Sequence, residues 1–267
     1  MLDIDSKNLK PPYLIHSDSF RTFGFIKESF KASKIKVNPS LLHFNLLCQG
    51  FGKHNIILPS FNYEFPKTRS YDTKRTVSQV GSLTNFVLDS DLLGRTKTPI
   101  FSFLTDIPEL LKEHNYPFSS GSTFDFLYKN DGSIIFYGAD ISSCTYLHFI
   151  ENQYGPPVFR YDKRFTGTIT DKHLTRDIFV EFHARPLGLE LVYNWKLLFQ
   201  LLIDEDVIFT ISPNCFAVKA KQLSRVWGDL FTKNQFDILS DQTKEIVRNK
   251  FNLIGRRFAQ KDFEVIS

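Results

Sequence analysis

Short apolar runs bracketed by turn residues, alternating with stretches of helical periodicity, constrain this chain more than any other feature. Tyr13–His16, Asn55–Leu58, Pro99–Phe103, Ser133–Tyr137, Asp177–Phe182 and Val207–Ile211 have the length and bracketing of strands. Between them, Asn38–Gln49, Ser78–Leu88, Ile107–His114, Ser143–Asn152, Leu187–Asp204 and Lys219–Phe231 read as helices. Asn38-Pro39-Ser40 is a sound helix start: a capping side chain precedes a proline at the first helical position, where the missing N–H is no loss. Strands and helices in turn imply an α/β sheet sandwiched by helices. No internal repeat or low-complexity linker divides the chain, so 1–267 is expected to form one domain.

Composition narrows the function. The net charge is +4 and the pI near 8.8, with basic residues scattered rather than in runs. That excludes a nucleic-acid platform but leaves room for a small polyanionic ligand such as a phosphorylated cofactor. Three cysteines, Cys48, Cys144 and Cys215, form an odd set without a CxxC pattern. They argue against a disulfide framework or structural zinc and for a reducing compartment. The first residues lack the apolar stretch of a signal peptide, and no run approaches 18 apolar residues. A cytoplasmic protein without membrane insertion is the expectation.

The densest segment chemically is Gly138–Glu151, GADISSCTYLHFIE, directly after the apolar run SIIFYG. Ligands of doubly wound sheets gather where strands end and helices begin. Thr145, His148 and Glu151 are spaced i, i+3, i+6 and line one side of a helix. A histidine there titrates near neutrality and can act as a base. A core histidine bonded to a carbonyl fits the same spacing, so spacing alone leaves both readings open. Cys144 stands four residues before His148, and a thiolate at a helix N-terminus is chemically possible. A small apolar residue at the helix start is the plainer reading of it. The longest polar, aperiodic stretch is Tyr63–Arg75, with the length of a binding loop.

Several motifs occur in a telling order. His16-Ser17-Asp18-Ser19 leads up to Gly24; Leu58–Tyr63 (LPSFNY) and Arg75–Gly81 (RTVSQVG) follow; then come Arg95–Ser102 (RTKTPIFS), Gly121–Tyr128 (GSTFDFLY) and the Thr-x-Leu-His-x-x-Glu core of Gly138–Glu151. Phe216–Phe231 adds an amphipathic segment near the end. This succession resembles the aminoglycoside 3-N-acetyltransferase (antibiotic N-acetyltransferase) family across most of the chain. The resemblance implies a central mixed β-sheet flanked by helices and an acyl-CoA-dependent N-acyltransferase, with acetyl-CoA or another acyl-CoA as cosubstrate and no metal. It implies that His148 is the general base, and that Glu151 orients the imidazole or meets the acceptor's ammonium. Thr145 is the candidate for the oxyanion. His16, Ser17, Arg75, Thr76, Ser78, Gly81 and Arg95 become the CoA-side candidates, and Asn62, Glu64, Asp125 and Asp140 the acceptor-side ones. The partner is a small-molecule amine, with a homodimer as a possible assembly.

The chain departs from the family's pattern at three points. It reads Thr98-Pro99 where many members have His-Pro, Asp18 where many carry a second Ser or Thr, and one more residue before Gly24. Nor is an acidic acceptor loop evident, whereas polycationic aminoglycosides need several carboxylates. Tyr63–Arg75 carries Lys67, Arg69, Lys74 and Arg75 against Glu64 and Asp72. On charge, the expected acceptor is therefore a single amine on an anionic molecule, such as a nucleotide-linked amino sugar. The alternatives are an aminoglycoside resistance acetyltransferase, a Cys144 acyl enzyme, and a non-catalytic sugar-binding homologue.

Overall fold

The computed structural model describes residues 9–33 and 37–265. The first half runs β1 (Tyr13–Ser17), α1 (Phe23–Ala32), α2 (Pro39–Phe51), β2 (Ile56–Pro59), α3 (Phe65–Thr68), β3 (Ser70–Asp72), α4 (Ser82–Asp89), β4 (Gly94–Arg95) and β5 (Phe103–Thr105). The second continues with α5 (Thr123–Lys129), β6 (Ser133–Tyr137), α6 (Tyr146–Gln153), β7 (Tyr161–Asp171), β8 (Leu174–Ala184), α7 (Trp195–Asp204), β9 (Phe209–Ser212), β10 (Cys215–Lys219), α8 (Ala220–Lys233) and α9 (Asp241–Ile254). The main sheet has the order β4-β5-β2-β1-β6-β10-β9. Its centre, β2-β1-β6, is parallel, and the outer pairs are antiparallel. A smaller sheet, β3-β7-β8, is built on the long β7–β8 hairpin.

Period-two alternation assigns the two faces of the main sheet. Leu14, Ile57, Ile134 and Phe136 enter one apolar core; Tyr13, Ile15, Ile56, Leu58, Ile135 and Tyr137 enter the other. On the first face the helices α5, α6, α7 and α8 bring Phe124, Leu147, Ile150, Leu198 and Trp227. On the second, α2 and α4 bring Phe44, Leu47, Leu83 and Val87. With both faces covered, the strands read as nearly continuous apolar runs, which is why they stand out in the sequence.

Several expected elements differ in extent: Ser78–Leu88 is helical only from Ser82, after Gly81 at φ 85°, and three others differ for equally local reasons. Ile107–His114 is helical only in the 3₁₀ turn Pro108–Leu111, because Lys112 is extended and the Asn115 carbonyl accepts a bond from the Glu181 N–H of β8 at 2.8 Å. Leu187–Asp204 becomes a helix only at Trp195, where the Asn194 side chain caps the Leu197 N–H. The strand expected at Pro99–Phe103 begins at Phe103, since Ile100 lies in the left-handed region at φ 70°.

Candidate active site

The site is built on the connection that leaves β6. Gly138 follows the strand at φ 73°, and a Cβ there would lie 2.6 Å from the Asp18 carbonyl, so only glycine allows this approach. Asp140 then accepts the Ser142 N–H at 2.9 Å and starts a 3₁₀ turn over Ile141–Ser143. In α6, Tyr146, Leu147, Phe149 and Ile150 are buried in the core. His148 points the other way into a cleft of about 960 Å³, which Thr145 also lines.

His148 donates from Nδ1 to Glu151 Oε2 at 2.8 Å, which leaves Nε2 as its free nitrogen. The His148 side chain keeps 23% exposure, whereas that of Glu151 has none. Glu151 Oε1 accepts the Tyr193 hydroxyl at 2.7 Å. Arg160 Nε lies 3.5 Å and His183 Nε2 3.4 Å from Oε2. Arg160 also donates to the Tyr193 hydroxyl at 2.6 Å and to the His183 carbonyl at 3.3 Å. Burial alone would raise the Glu151 carboxyl, but Arg160, His148 and His183 outweigh it and hold the group well below the carboxylate range. For His148, burial and then Arg160 lower the pKa against the pull of Glu151. The imidazole is thus a free base at neutral pH, with its tautomer fixed by the carboxylate.

Arg160, His183 and Tyr193 were not among the sequence candidates. They come from the turn before β7, from β8 and from the loop before α7. Their only sequence signal is a charged or polar residue set among apolar ones, such as His183 in VEFHA. His148, Glu151 and His183 have ligand atoms within 4.8 Å of one another, but the Arg160 guanidinium already occupies the position beside the shared oxygen.

The other candidates lie elsewhere. Arg95 is buried and donates to the Ser102 hydroxyl at 3.1 Å, to the Ser60 carbonyl at 2.7 Å and to the Thr76 carbonyl, beside the Tyr71 ring. It is committed to tying loops together. His16 stacks on Phe136, and burial pushes its pKa down to about 4. Ser17 ends β1 beside Gly81, which opens α4 at φ 85°. Thr76 accepts the Asp72 N–H, Ser78 is tied to Val80 and Asn85, and Arg75 is exposed. On the acceptor side, Asn62 bridges Val77 and Glu64, Glu64 is exposed, and Asp125 accepts from Gly121 and Lys129. None of these residues, nor Asp140, lines the His148 cleft, whose wall combines aromatic residues such as Tyr63, Phe101, Phe165 and Phe182 with the charged Lys163, Arg185 and Glu190. The charge excess of Tyr63–Arg75 does not face the cleft either. Lys67, Lys74 and Arg75 do not line it, and Arg69 borders a separate groove with Thr166–Thr168. Cys144 is buried, which raises its thiol to about 12 and disfavours an acyl-cysteine.

A family model described as aminoglycoside 3-N-acetyltransferase matches residues 58–193, just over half of the chain. That stretch contains His148, Glu151, Arg160, His183 and Tyr193. Several solved structures share the fold. The aminoglycoside acetyltransferase AAC(3)-IVa apoenzyme superposes with a TM-score of 0.64 at 13% identity, over 91% of this chain and 93% of that one. AAC-IIIb in a binary complex with CoASH gives 0.65 at 14%, over 86% and 94%. YokD from Bacillus subtilis gives 0.62 at 15%, over 86% and 91%. No curated protein matches the chain in sequence. Among the described residues, no helix is long and apolar enough to cross a membrane.

Proposed function

Since the chain belongs to the aminoglycoside 3-N-acetyltransferase family, and is an acyl-CoA-dependent N-acyltransferase, we propose that His148 is its general base and that the aromatic cleft seats the acceptor. The single observation behind this reading is the His148–Glu151 pair at 2.8 Å, with the imidazole open to the cleft and the carboxylate sealed behind it. The acceptor amine attacks the thioester carbonyl carbon. His148 Nε2 takes an amine proton as the C–N bond forms, and the C–S bond breaks on collapse of the tetrahedral intermediate. The imidazolium returns its proton to the departing thiolate, giving CoASH and an amide. Glu151 holds the ring orientation and stabilises the transient imidazolium. Thr145, one turn before the base, is the group proposed to meet the oxyanion.

For the donor, Ser17 and the Gly81 turn are the proposed contacts. Gly81 offers α4 no capping side chain, so the first N–H groups of that helix remain available to an anionic or carbonyl-bearing ligand. Exposed Arg75 is the proposed phosphate contact; Arg95 is not, because its donors are spent internally.

The proposed acceptor is an amino sugar of the aminoglycoside kind. The family supports it, and the walls of Tyr63, Phe101, Phe165 and Phe182 suit the apolar faces of sugar rings and the cation–π contacts of ammonium groups. The basic residues of Tyr63–Arg75 lie outside the cleft, whose own charged lining is Arg160, Lys163 and Arg185 with Glu190 and Glu264. With acetyl-CoA as donor, thiol release should be faster with kanamycin or gentamicin than with a nucleotide-linked amino sugar. Changing Lys67 and Arg69 together to Ala should alter neither rate. Preference for the nucleotide sugar, lost in the double variant, would overturn the acceptor assignment.

A further inference from the structure

We propose that His183 is a positioning residue that shares Glu151 with His148 and so weakens the carboxylate's hold on the base. The inference rests on the reading of His148 as base and extends it to a residue that never touches substrate.

The His183 side chain is only 2% exposed. Its Nε2 finds no well-formed hydrogen bond among the described residues, and 3.4 Å away lies Glu151 Oε2, the oxygen that also holds His148. The two imidazoles stand 6.2 Å apart at 78°, and Phe118 packs against both, at 5.3 Å from His148 and 5.4 Å from His183. They therefore approach one carboxylate from two directions, on a fixed aromatic wedge.

The charges facing His183 settle its protonation. Across the hairpin Asp162 is its register partner, but that carboxylate is taken by Arg257 at 2.8 and 3.0 Å. Arg160 already balances Glu151, and the Tyr193 hydroxyl is neutral. A second imidazolium would have no counter-charge, and burial lowers the His183 pKa in the same direction. A neutral ring with its proton on Nε2 can still donate to Oε2. That donation draws negative charge from the oxygen that attracts the Nδ1–H of His148. The Glu151 carboxylate pulls the base's pKa up against burial and Arg160; dividing that carboxylate between two imidazoles weakens the pull further.

The test uses the full chain with labelled histidines. The His148 ring is titrated by NMR without substrate, and the pH profile of kcat/KM is recorded in parallel. His183→Leu should raise the His148 pKa, and the acid limb of the profile, by about one unit. His183→Gln restores an N–H donor and should return both towards wild type. A merely structural role would change stability and rate but not these positions on the pH axis. Identical His148 titrations in wild type and His183→Leu, or equal displacement by Leu and Gln, would overturn the proposal. Should the Leu variant fail to fold, the wild-type ¹⁵N spectrum decides: a neutral His183 protonated at Nε2 supports the sharing, and an Nδ1-protonated ring excludes it. Because the ring titration needs no turnover, failure of the sharing is separable from failure of His148 as base, which appears only in the rates.

Discussion

Two buried arginines anchor two parts of this molecule, and they do different work. Arg95 donates to the Ser60 and Thr76 carbonyls and the Ser102 hydroxyl and forms no ion pair among the described residues; burial lowers its pKa. Arg160 is equally enclosed, yet Tyr193 and Glu151 more than offset burial and raise its pKa. Around Arg95 the guanidinium donors all meet neutral oxygens, although the neighbouring Ser60 hydroxyl has no partner among the described residues, and the result is a tie between loops. Around Arg160, its own Nε and His183 Nε2 lack a well-formed partner while both face Glu151 Oε2. Burial, polarity and incomplete pairing do not by themselves separate the site from the scaffold; the carboxylate on which several donors converge does.

The sharpest way to break this contrast is to remove one centre of each network. Glu151→Ala leaves a buried guanidinium without its counter-charge and should cost about 3–5 kcal/mol in urea unfolding. Arg95→Met leaves neutral acceptors unpaired and should cost only about 1–3 kcal/mol. A larger loss at Arg95 would reverse the assignment of which network carries charge. Between these in size lies His16. The folded protein holds its imidazole neutral down to about pH 4, while the unfolded chain takes up a proton near 6.5. Stability from this group is therefore complete above pH 6.5 and falls as the pH drops from 6.5 to about 4, by about 3 kcal/mol. His16→Phe, which fills the slot against Phe136, should flatten that window. An unchanged acid slope would show that His16 is not the buried neutral group described.

Glu151 contributes in the same direction at lower pH. Its carboxyl is held well below the ordinary 4.5, so the stability it brings is present above that value and is lost on further acidification. Replacing it by Gln should shallow the acid limb below pH 4.5. The smallest expected effect is at Cys144. Its thiol is buried and protonated, so Cys144→Ser should leave turnover within about threefold of wild type. Complete loss of activity in a folded Ser variant would revive the acyl-cysteine route.

The two networks also differ in how far they could be read from the sequence. His148 and Glu151 could be placed on one helix turn after a strand whose apolar run is unmistakable, but spacing left a core histidine equally open, and the family resemblance singled them out. Arg160, His183 and Tyr193 converge through tertiary structure. The β7 strand that follows Arg160 has only half-buried alternation broken by Gly167, and was not expected as a strand at all. Tyr193 sat inside a helix extended too early, because LGLELVYN has helical periodicity that Pro186, Gly188 and the cap at Asn194 override. The α/β class and the positions of β1, β2 and β6 were readable because both faces of those strands are covered. The α9 helix was not expected, its exposed polar face hiding the period set by Val247. Charge in Tyr63–Arg75 was read correctly as composition but not as direction, since only Tyr63 and Pro66 of that stretch reach the cleft.

The central claim is that the His148 imidazole, open to the cleft and braced by Glu151, takes the proton from the acceptor amine. The direct measurement is turnover of His148→Ala against wild type with saturating acetyl-CoA, alongside the rise in melting temperature that CoA gives each protein. The account predicts a loss of about 10²–10⁴-fold in kcat with the CoA-induced rise intact. A variant that binds CoA normally and turns over within about threefold of wild type would contradict it.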